Sequence, residues 1–301
     1  MPMHRLPSVL APASISLPFN RLVVFGDSYS DTGHNFNLTQ GKFPPSPPYD
    51  KKYSNGPVWC EYLAKNLGLT LENYAEGGAT TDNNFVQGHT SPANLPVNGI
   101  YQQIQKVYLP TNPSTASTAL YALFSSGNDF HVDKLLSANH SALNLLRAVS
   151  LLRSSLPTAR HFLLFRSADL GNLPYFHPQA AGLFHHPFRS TLERGVATTV
   201  SARFNENLNA YTREYKQKNP EIELTVFETD KLFSGLDKQG EKHGFQNVKQ
   251  QCVALDGRRF VPQGEIASHF YWDSVHVTTK GHELLAGEVA KALGEVYEGK
   301  A

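Results

Sequence analysis

The sequence is poor in cysteine and in surplus charge, and it has no long apolar run. Two cysteines in 301 residues, Cys60 and Cys252, exclude a disulfide scaffold and a cysteine-rich zinc module. Cys60 falls inside a helical pattern, so two buried free thiols are preferred over a bridge between them. Lys and Arg total 27 against 26 for Asp and Glu. This balance leaves no electrostatic footprint for nucleic acid or an anionic lipid surface. No stretch reaches the ~18 consecutive apolar residues that a membrane-spanning helix needs, so stable membrane insertion is not expected. Residues 1–20 carry His4 and Arg5 before a mildly apolar run, but Pro7, Pro12 and Pro18 break it. The segment reads as an N-terminal extension with no clear signal peptide, which favours a cytoplasmic over a secreted location. Glycine (22) and proline (19) are near ordinary usage and hydrophobic residues make up 40%, so collagen-like, low-complexity and disordered chains are excluded.

What is present is an alternation of apolar runs and helical periods. Residues 21–25 (RLVVF), 69–75, 119–124 (ALYALF), 161–165 (HFLLF) and 222–227 read as strands. Between them, residues 57–68 predict a helix: Pro57 suits a first turn, Trp59, Leu63 and Leu67 recur at fours, and Gly68 suits a left-handed cap. Helices are also predicted around Ile100–Tyr108, over 141–156 up to Pro157, and along Val196–Tyr215. A last helix spans 278–297, with Thr278 as its N-cap. Five strands separated by helices imply one parallel sheet covered on both faces, joined by right-handed crossovers. Residues 21–301 are read as a single domain, long enough to bury a full core. Ligands of such sheets bind beyond the carboxyl ends of the strands.

The loops at those ends hold the most unusual segments. Phe25-Gly26-Asp27-Ser28 runs from a strand into a serine at an expected helix start, suited to a nucleophile or to a capped turn. It is not a G-x-S-x-G elbow. Gly77 and Gly78 follow the second strand, and one of their N–H groups can face a developing oxyanion; a tight turn is the plainer account. Ser126-Gly127-Asn128-Asp129 offers an Asn amide as a donor, or an Asx-type turn. Asp273 lies three residues before His276 at the entry to the last helix, where its carboxylate can fix the imidazole tautomer; the alternative is a surface ion pair. A turn has no need for serine, glycine, asparagine and Asp-x-x-His at successive loops of one sheet. Acyl transfer needs that set.

These blocks, G-D-S-Y-S-D-T-G, N-Y-A-E-G-G-A-T-T, G-N-D and D-S-V-H, resemble in content and order those of the GDSL esterases and lipases, or SGNH hydrolases. They span Phe25 to His282. Pro47-Pro48-Tyr49 and Tyr53-Ser54-Asn55-Gly56-Pro57-Val58-Trp59 further resemble the subgroup with haemolysin-like phospholipases and fungal acetyl esterases. Tyr29 stands where the family name has leucine, as in fungal members. The resemblance implies a three-layer α/β/α sandwich with a five-stranded parallel sheet, flavodoxin-like. It implies Ser28 as nucleophile, His276 as general base and Asp273 as its orienting acid. Ser28 N–H, Gly78 N–H and the Asn128 amide would form the oxyanion hole, Gly77 being the less favoured glycine.

The activity implied is carboxylic-ester hydrolysis of a small-molecule ester, an acylated sugar or lipid. Short acyl esters such as acetylated carbohydrates are favoured by Tyr29. Phospholipase, lysophospholipase or lipid acyltransferase activity at the same site is the alternative, and a catalytically silent carbohydrate- or lipid-binding protein is the alternative of another class. His177, His185 and His186 lie in one proline-rich stretch, but no Cys or carboxylate joins them at ligand spacing, so neither a metal nor a cofactor is expected. Phe176, Phe184 and Phe188 in that stretch suit a pocket wall or a small satellite core.

Overall fold

The three inner strands of the sheet are apolar runs because they are covered on both sides, whereas the edge strands are only partly buried. The structure, a computed structural model, describes residues 17–113, 116–125, 127–131, 134–176, 191–256, 259–262 and 264–298. Strands β1 (Arg21–Gly26), β2 (Thr70–Asn73), β3 (Ala119–Phe124), β4 (His161–Phe165) and β5 (Glu223–Phe227) form one sheet in the order β2-β1-β3-β4-β5. All pairings are parallel, with Leu22 opposite both Leu71 and Leu120, and Tyr121 opposite Phe162. All five strands therefore present their carboxyl ends at one edge. Every residue of β3 is buried, as expected of a parallel strand with helices on both faces.

Alternate side chains feed two cores. Leu22, Val24, Leu120, Ala122, Leu163 and Phe165 pack with Trp59 and Leu63 of α1 (Trp59–Leu67) and with Leu285, Val289 and Leu293 of the C-terminal helix. Val23, Phe25, Tyr121, Leu123, Phe162 and Leu164 pack with Leu145, Val149 and Leu152 of α2 (Lys134–Ser155) and with Val200, Phe204 and Leu208 of α3 (Thr191–Lys218). A further helix, α4 (Thr229–Gln239), follows β5, and α5 (Thr279–Tyr297) ends the fold. Gly68 caps α1 at φ 65°, and the Thr278 hydroxyl accepts from Gly281 N at 3.1 Å to cap α5. Both caps match the sequence reading, and Cys60 and Cys252 are buried and free.

The departures are local. The helix expected around Ile100–Tyr108 is one α turn (Ile100–Gln102) running into a π-helical stretch (Gln103–Tyr108). Within it Gln103 is buried, and its amide pairs with both the N–H and the C=O of Gly26, each at 2.9 Å. Helix α2 starts at Lys134, ahead of the expected Ser141. Helix α4, with Gly235 inside it, and the short strands Gly88–His89, Pro96–Val97, Asn247–Gln251, Val253–Asp256, Arg259–Pro262 and His269–Tyr271 were not expected from the sequence. Strands this short carry too little periodicity to be read.

One buried histidine links the fold to pH. His282 on α5 is fully buried, and burial, with His276 and Lys52 nearby, lowers its pKa to about 3. The unfolded chain protonates it near the ordinary value of about 6.5. The folded value is the lower one, so the stability is complete above that ordinary value and is lost as pH falls toward the folded value. Between pH 6 and 4 the unfolding free energy of a His282→Phe variant should fall less steeply than that of the parent, by roughly 1.4 kcal/mol per pH unit. Denaturant titrations at stepped pH check this, and parallel slopes refute it.

Candidate active site

Each of the three loops after β1, β2 and β3 is fixed by a buried polar side chain. After β1, Asp27 holds a hydrogen-bonded turn: its carboxylate accepts from Tyr29 N at 3.1 Å, and its carbonyl from Ser30 N at 2.9 Å and Asp31 N at 3.0 Å. Ser28 thus sits in a turn and not, as the sequence suggested, at the start of a helix; the next helix begins at His34. Asp31 ties this loop to the second one. It accepts from Gly33 N, His34 N, Asn35 N and, across the loops, Gly77 N at 2.9 Å. Burial raises its pKa, and these backbone donors oppose the rise. The third loop is tied to the second by Asp129, which is fully buried and accepts from the Thr81 N–H at 3.0 Å and from the Thr81 hydroxyl.

These ties separate the two glycines. Gly77 N–H is spent on Asp31, and the Gly77 carbonyl accepts from Asn35 Nδ2 at 2.7 Å. Gly78 follows at φ +88°, and among the described residues neither its N–H nor that of Ser28 has a protein acceptor. Asn128 Nδ2 donates one hydrogen to the Ala79 carbonyl at 2.9 Å. That fixes the amide and leaves its second hydrogen.

The fourth segment closes over Ser28 from the far end of the chain. Asp273 Oδ1 accepts from Val275 N at 2.8 Å and His276 N at 2.7 Å, an Asx-type turn. His276 Nδ1 lies 2.8 Å from Asp273 Oδ2, and His276 Nε2 lies 2.8 Å from Ser28 Oγ. Asp273 and His276 are each only 4% exposed, which is not the surface pair considered as the alternative. Tyr53 lies over the imidazole at 5.0 Å between ring centroids, and Tyr29 at 5.8 Å. The Tyr29 hydroxyl donates to the Val275 carbonyl at 2.6 Å.

Sequence reasoning gave no role to two tyrosines found here. Tyr49 donates its hydroxyl to Asp273 Oδ2 at 2.9 Å, and Tyr53 accepts from Asn35 Nδ2 at 2.8 Å. Both stand in the segment already singled out by its family resemblance, which was the only available signal. Ser126 and the stretch holding His177, His185, His186, Phe184 and Phe188 lie outside the described residues. Among the described residues no group of three or more His, Cys, Asp or Glu side chains is placed to hold a metal ion.

Ser28, Gly78, Asn128 and His276 all line one cavity of about 690 Å³. Its walls are largely apolar, with Phe124, Phe130, Leu173, Val200 and Phe233, and Phe176 also belongs to the lining. On the other side lie Val86 to Asn94, around the hairpin of Gly88–His89 and Pro96–Val97.

Most of the chain is similar to known proteins. Residues 22–289 match the family described as GDSL-like lipase/acylhydrolase. The thermolabile hemolysin of Vibrio parahaemolyticus is 28% identical over 93% of this chain, which spans only 65% of that protein's length. The phosphatidylcholine-sterol acyltransferase of Aeromonas hydrophila is 27% identical, with 93% of this chain and 92% of the relative covered. An acetylesterase of Hypocrea jecorina is 32% identical over 40% of this chain and 38% of its own.

Gly78 gives a structural test of the loop. A Cβ there would sit 2.1 Å from the His89 carbonyl oxygen, and its φ is one that side chains rarely adopt. Gly78→Ala should cost about 2 kcal/mol or more from backbone strain and overpacking together. A thermal melt should drop by several degrees, and an unchanged midpoint would contradict this packing.

Proposed function

The chain belongs to the GDSL-like lipase/acylhydrolase family, and on that premise we propose that it is a serine carboxylic-ester hydrolase working through an acyl-enzyme on Ser28. The observation that carries the proposal is the unbroken line from Ser28 Oγ through His276 to Asp273, opening on a cavity beside two uncommitted backbone N–H groups. His276 Nε2 takes the Ser28 proton as the hydroxyl attacks the ester carbonyl. Asp273 holds Nδ1–H and stabilises the imidazolium that forms. The oxyanion is received by the N–H groups of Ser28 and Gly78 and by the Asn128 amide. His276 then gives its proton to the leaving alcohol, and the same base activates the water that frees the acid.

For the acyl group, the cavity favours an apolar chain. Its aromatic and aliphatic wall runs from Phe124 beside the serine to Phe233 on α4. Short acyl esters, including acetylated carbohydrates, are the second reading and have the acetylesterase relative in their favour. The other argument for them, Tyr29, is weaker in the structure. Its hydroxyl is used on Val275, and its ring packs on Phe124, His276 and His282. A second alcohol can intercept the same acyl-enzyme, and the acyltransferase relative supports testing for that.

Ser28→Ala should abolish ester hydrolysis and labelling by a fluorophosphonate probe; persistence of either in the purified variant removes Ser28 as nucleophile. Absence of both in the parent would favour a silent binding protein. Asn128→Ala should lose about 10²–10³ in kcat while remaining folded, and near-parental turnover takes it out of the oxyanion hole. With p-nitrophenyl esters, kcat/KM should climb about threefold to fourfold for each methylene added beyond acetate, because each buried methylene contributes about 0.8 kcal/mol. A profile that peaks at acetate, together with release of acetate from acetylated xylo-oligosaccharides, would establish the short-acyl reading instead. Added alcohol acceptors at fixed ester concentration measure the share of acyl transfer.

A further inference from the structure

We infer that Tyr49 is a positioning residue for His276, acting through Asp273: its hydroxyl fixes the carboxylate plane and tempers the charge that the carboxylate presents to the imidazole. The inference rests on the proposed roles of Ser28, His276 and Asp273. Rotation of a carboxylate about its last side-chain bond is soft. At Asp273 the Oδ1 atom is pinned by two backbone N–H groups, Val275 and His276. His276 Nδ1 lies 2.8 Å from Oδ2 and 3.0 Å from Oδ1, and the Tyr49 hydroxyl donates to Oδ2 at 2.9 Å. Without Tyr49 the outer side of Oδ2 has no strong donor to oppose the pull of the imidazole. Water is a poor substitute, because Tyr49 is only 2% exposed and is packed edge-on against Trp272 at 5.9 Å, with Cys252 and Val253 in the same buried cluster.

The hydroxyl and the carboxylate are 224 residues apart in sequence. Nothing local requires them to meet, and a purely apolar contact at this place would have been met by phenylalanine. Tyr49 stands behind the carboxylate and is not among the residues lining the cavity. Its effect should therefore fall on turnover and proton affinity, with substrate binding left alone.

The sign follows from the hydrogen bond. A donor on Oδ2 draws electron density away from Nδ1–H. Removing it leaves a carboxylate that holds the imidazolium more strongly, so His276 keeps its proton to higher pH. The other titratable groups around the pair are Tyr29 and Tyr53 over the ring and His282 from α5, which are in turn influenced by Asp27 and Tyr271, by Asp31 and by Lys52 respectively. Tyr49→Phe changes none of them.

In the 301-residue chain, Tyr49→Phe should lower kcat about tenfold, leave KM within about twofold, and move the acid limb of the kcat/KM profile to higher pH. Tyr49 replaced by a fluorinated tyrosine, a stronger donor, should move that limb to lower pH, and it serves as the decisive variant if Tyr49→Phe does not fold. Trp272→Phe is the packing control: it loosens the ring's support while keeping the hydroxyl, so it should lower Tm without moving the limb. Unchanged kcat in Tyr49→Phe, or an acid limb that stays put in both Tyr49 variants, overturns the inference. If the parent itself neither hydrolyses esters nor takes up a fluorophosphonate at Ser28, the reading of the site has failed and not that of Tyr49.

Discussion

The Asp273 carboxyl group is held almost entirely out of water, and the segments around it are arranged to meet its oxygens with donors. An isolated buried carboxylate costs several kcal/mol and would take up a proton to avoid it. Here two backbone N–H groups, one imidazole N–H and one phenol hydroxyl meet its oxygens. Those donors come from distant parts of the chain, so the full donor set exists only when the loop carrying Tyr49 and the turn before α5 are docked together. That docking is supported by the Ser54 hydroxyl on the Val277 carbonyl at 2.9 Å and by Asn55 Oδ1 receiving the Thr279 N–H at 2.8 Å. The histidine is thus delivered to Ser28 by a closed set of polar contacts between distant segments.

The same device recurs along the sheet edge. Apolar packing builds the two cores but does little to set loop conformation, since the loops have few apolar side chains to bury. Asp31, Gln103 and Asp129 do this instead, each buried and each bonding to the backbone of a neighbouring loop or strand end. Such groups are expensive when half satisfied and rigid when fully satisfied. Rigidity is what an oxyanion hole requires, because its donors must already point at the place where charge will develop.

This division explains what the sequence made legible. The inner strands were readable because a parallel strand covered on both faces becomes a continuous apolar run, as in 119–124, and the edge strands followed from their place between predicted helices. Ser28, Gly78, Asn128, Asp273 and His276 were readable because each falls in a short block of unusual composition next to a strand or helix end. Tyr49 was not, since its partner lies far away in sequence and a tyrosine among prolines has no local signature. His282 was passed over for the opposite reason: a histidine within an amphipathic helix looks ordinary, and only three-dimensional packing reveals that it is sealed from solvent. The stretch 103–108 misled because its apolar spacing is helical, while the buried Gln103 belongs to a π-helical turn that bonds to β1.

Chemistry and substrate choice are drawn from different parts of the fold. The groups proposed to react come from the loops after β1, β2 and β3 and from the turn before α5, which are interlocked by buried hydrogen bonds. The apolar end of the cavity comes from Leu173, from Val200 on α3 and from Phe233 on α4, elements that touch the serine's surroundings without holding them. A change of side chain at Val200 or Phe233 alters the room for an acyl chain and leaves the Asp273 donor set untouched. Conversely, the polar ties at the sheet edge fix no acyl length. One arrangement of serine, histidine and aspartate can therefore serve esters of very different size. On the proposed reading, chain-length selectivity is set by the far wall of the cavity, where Leu173, Val200 and Phe233 stand.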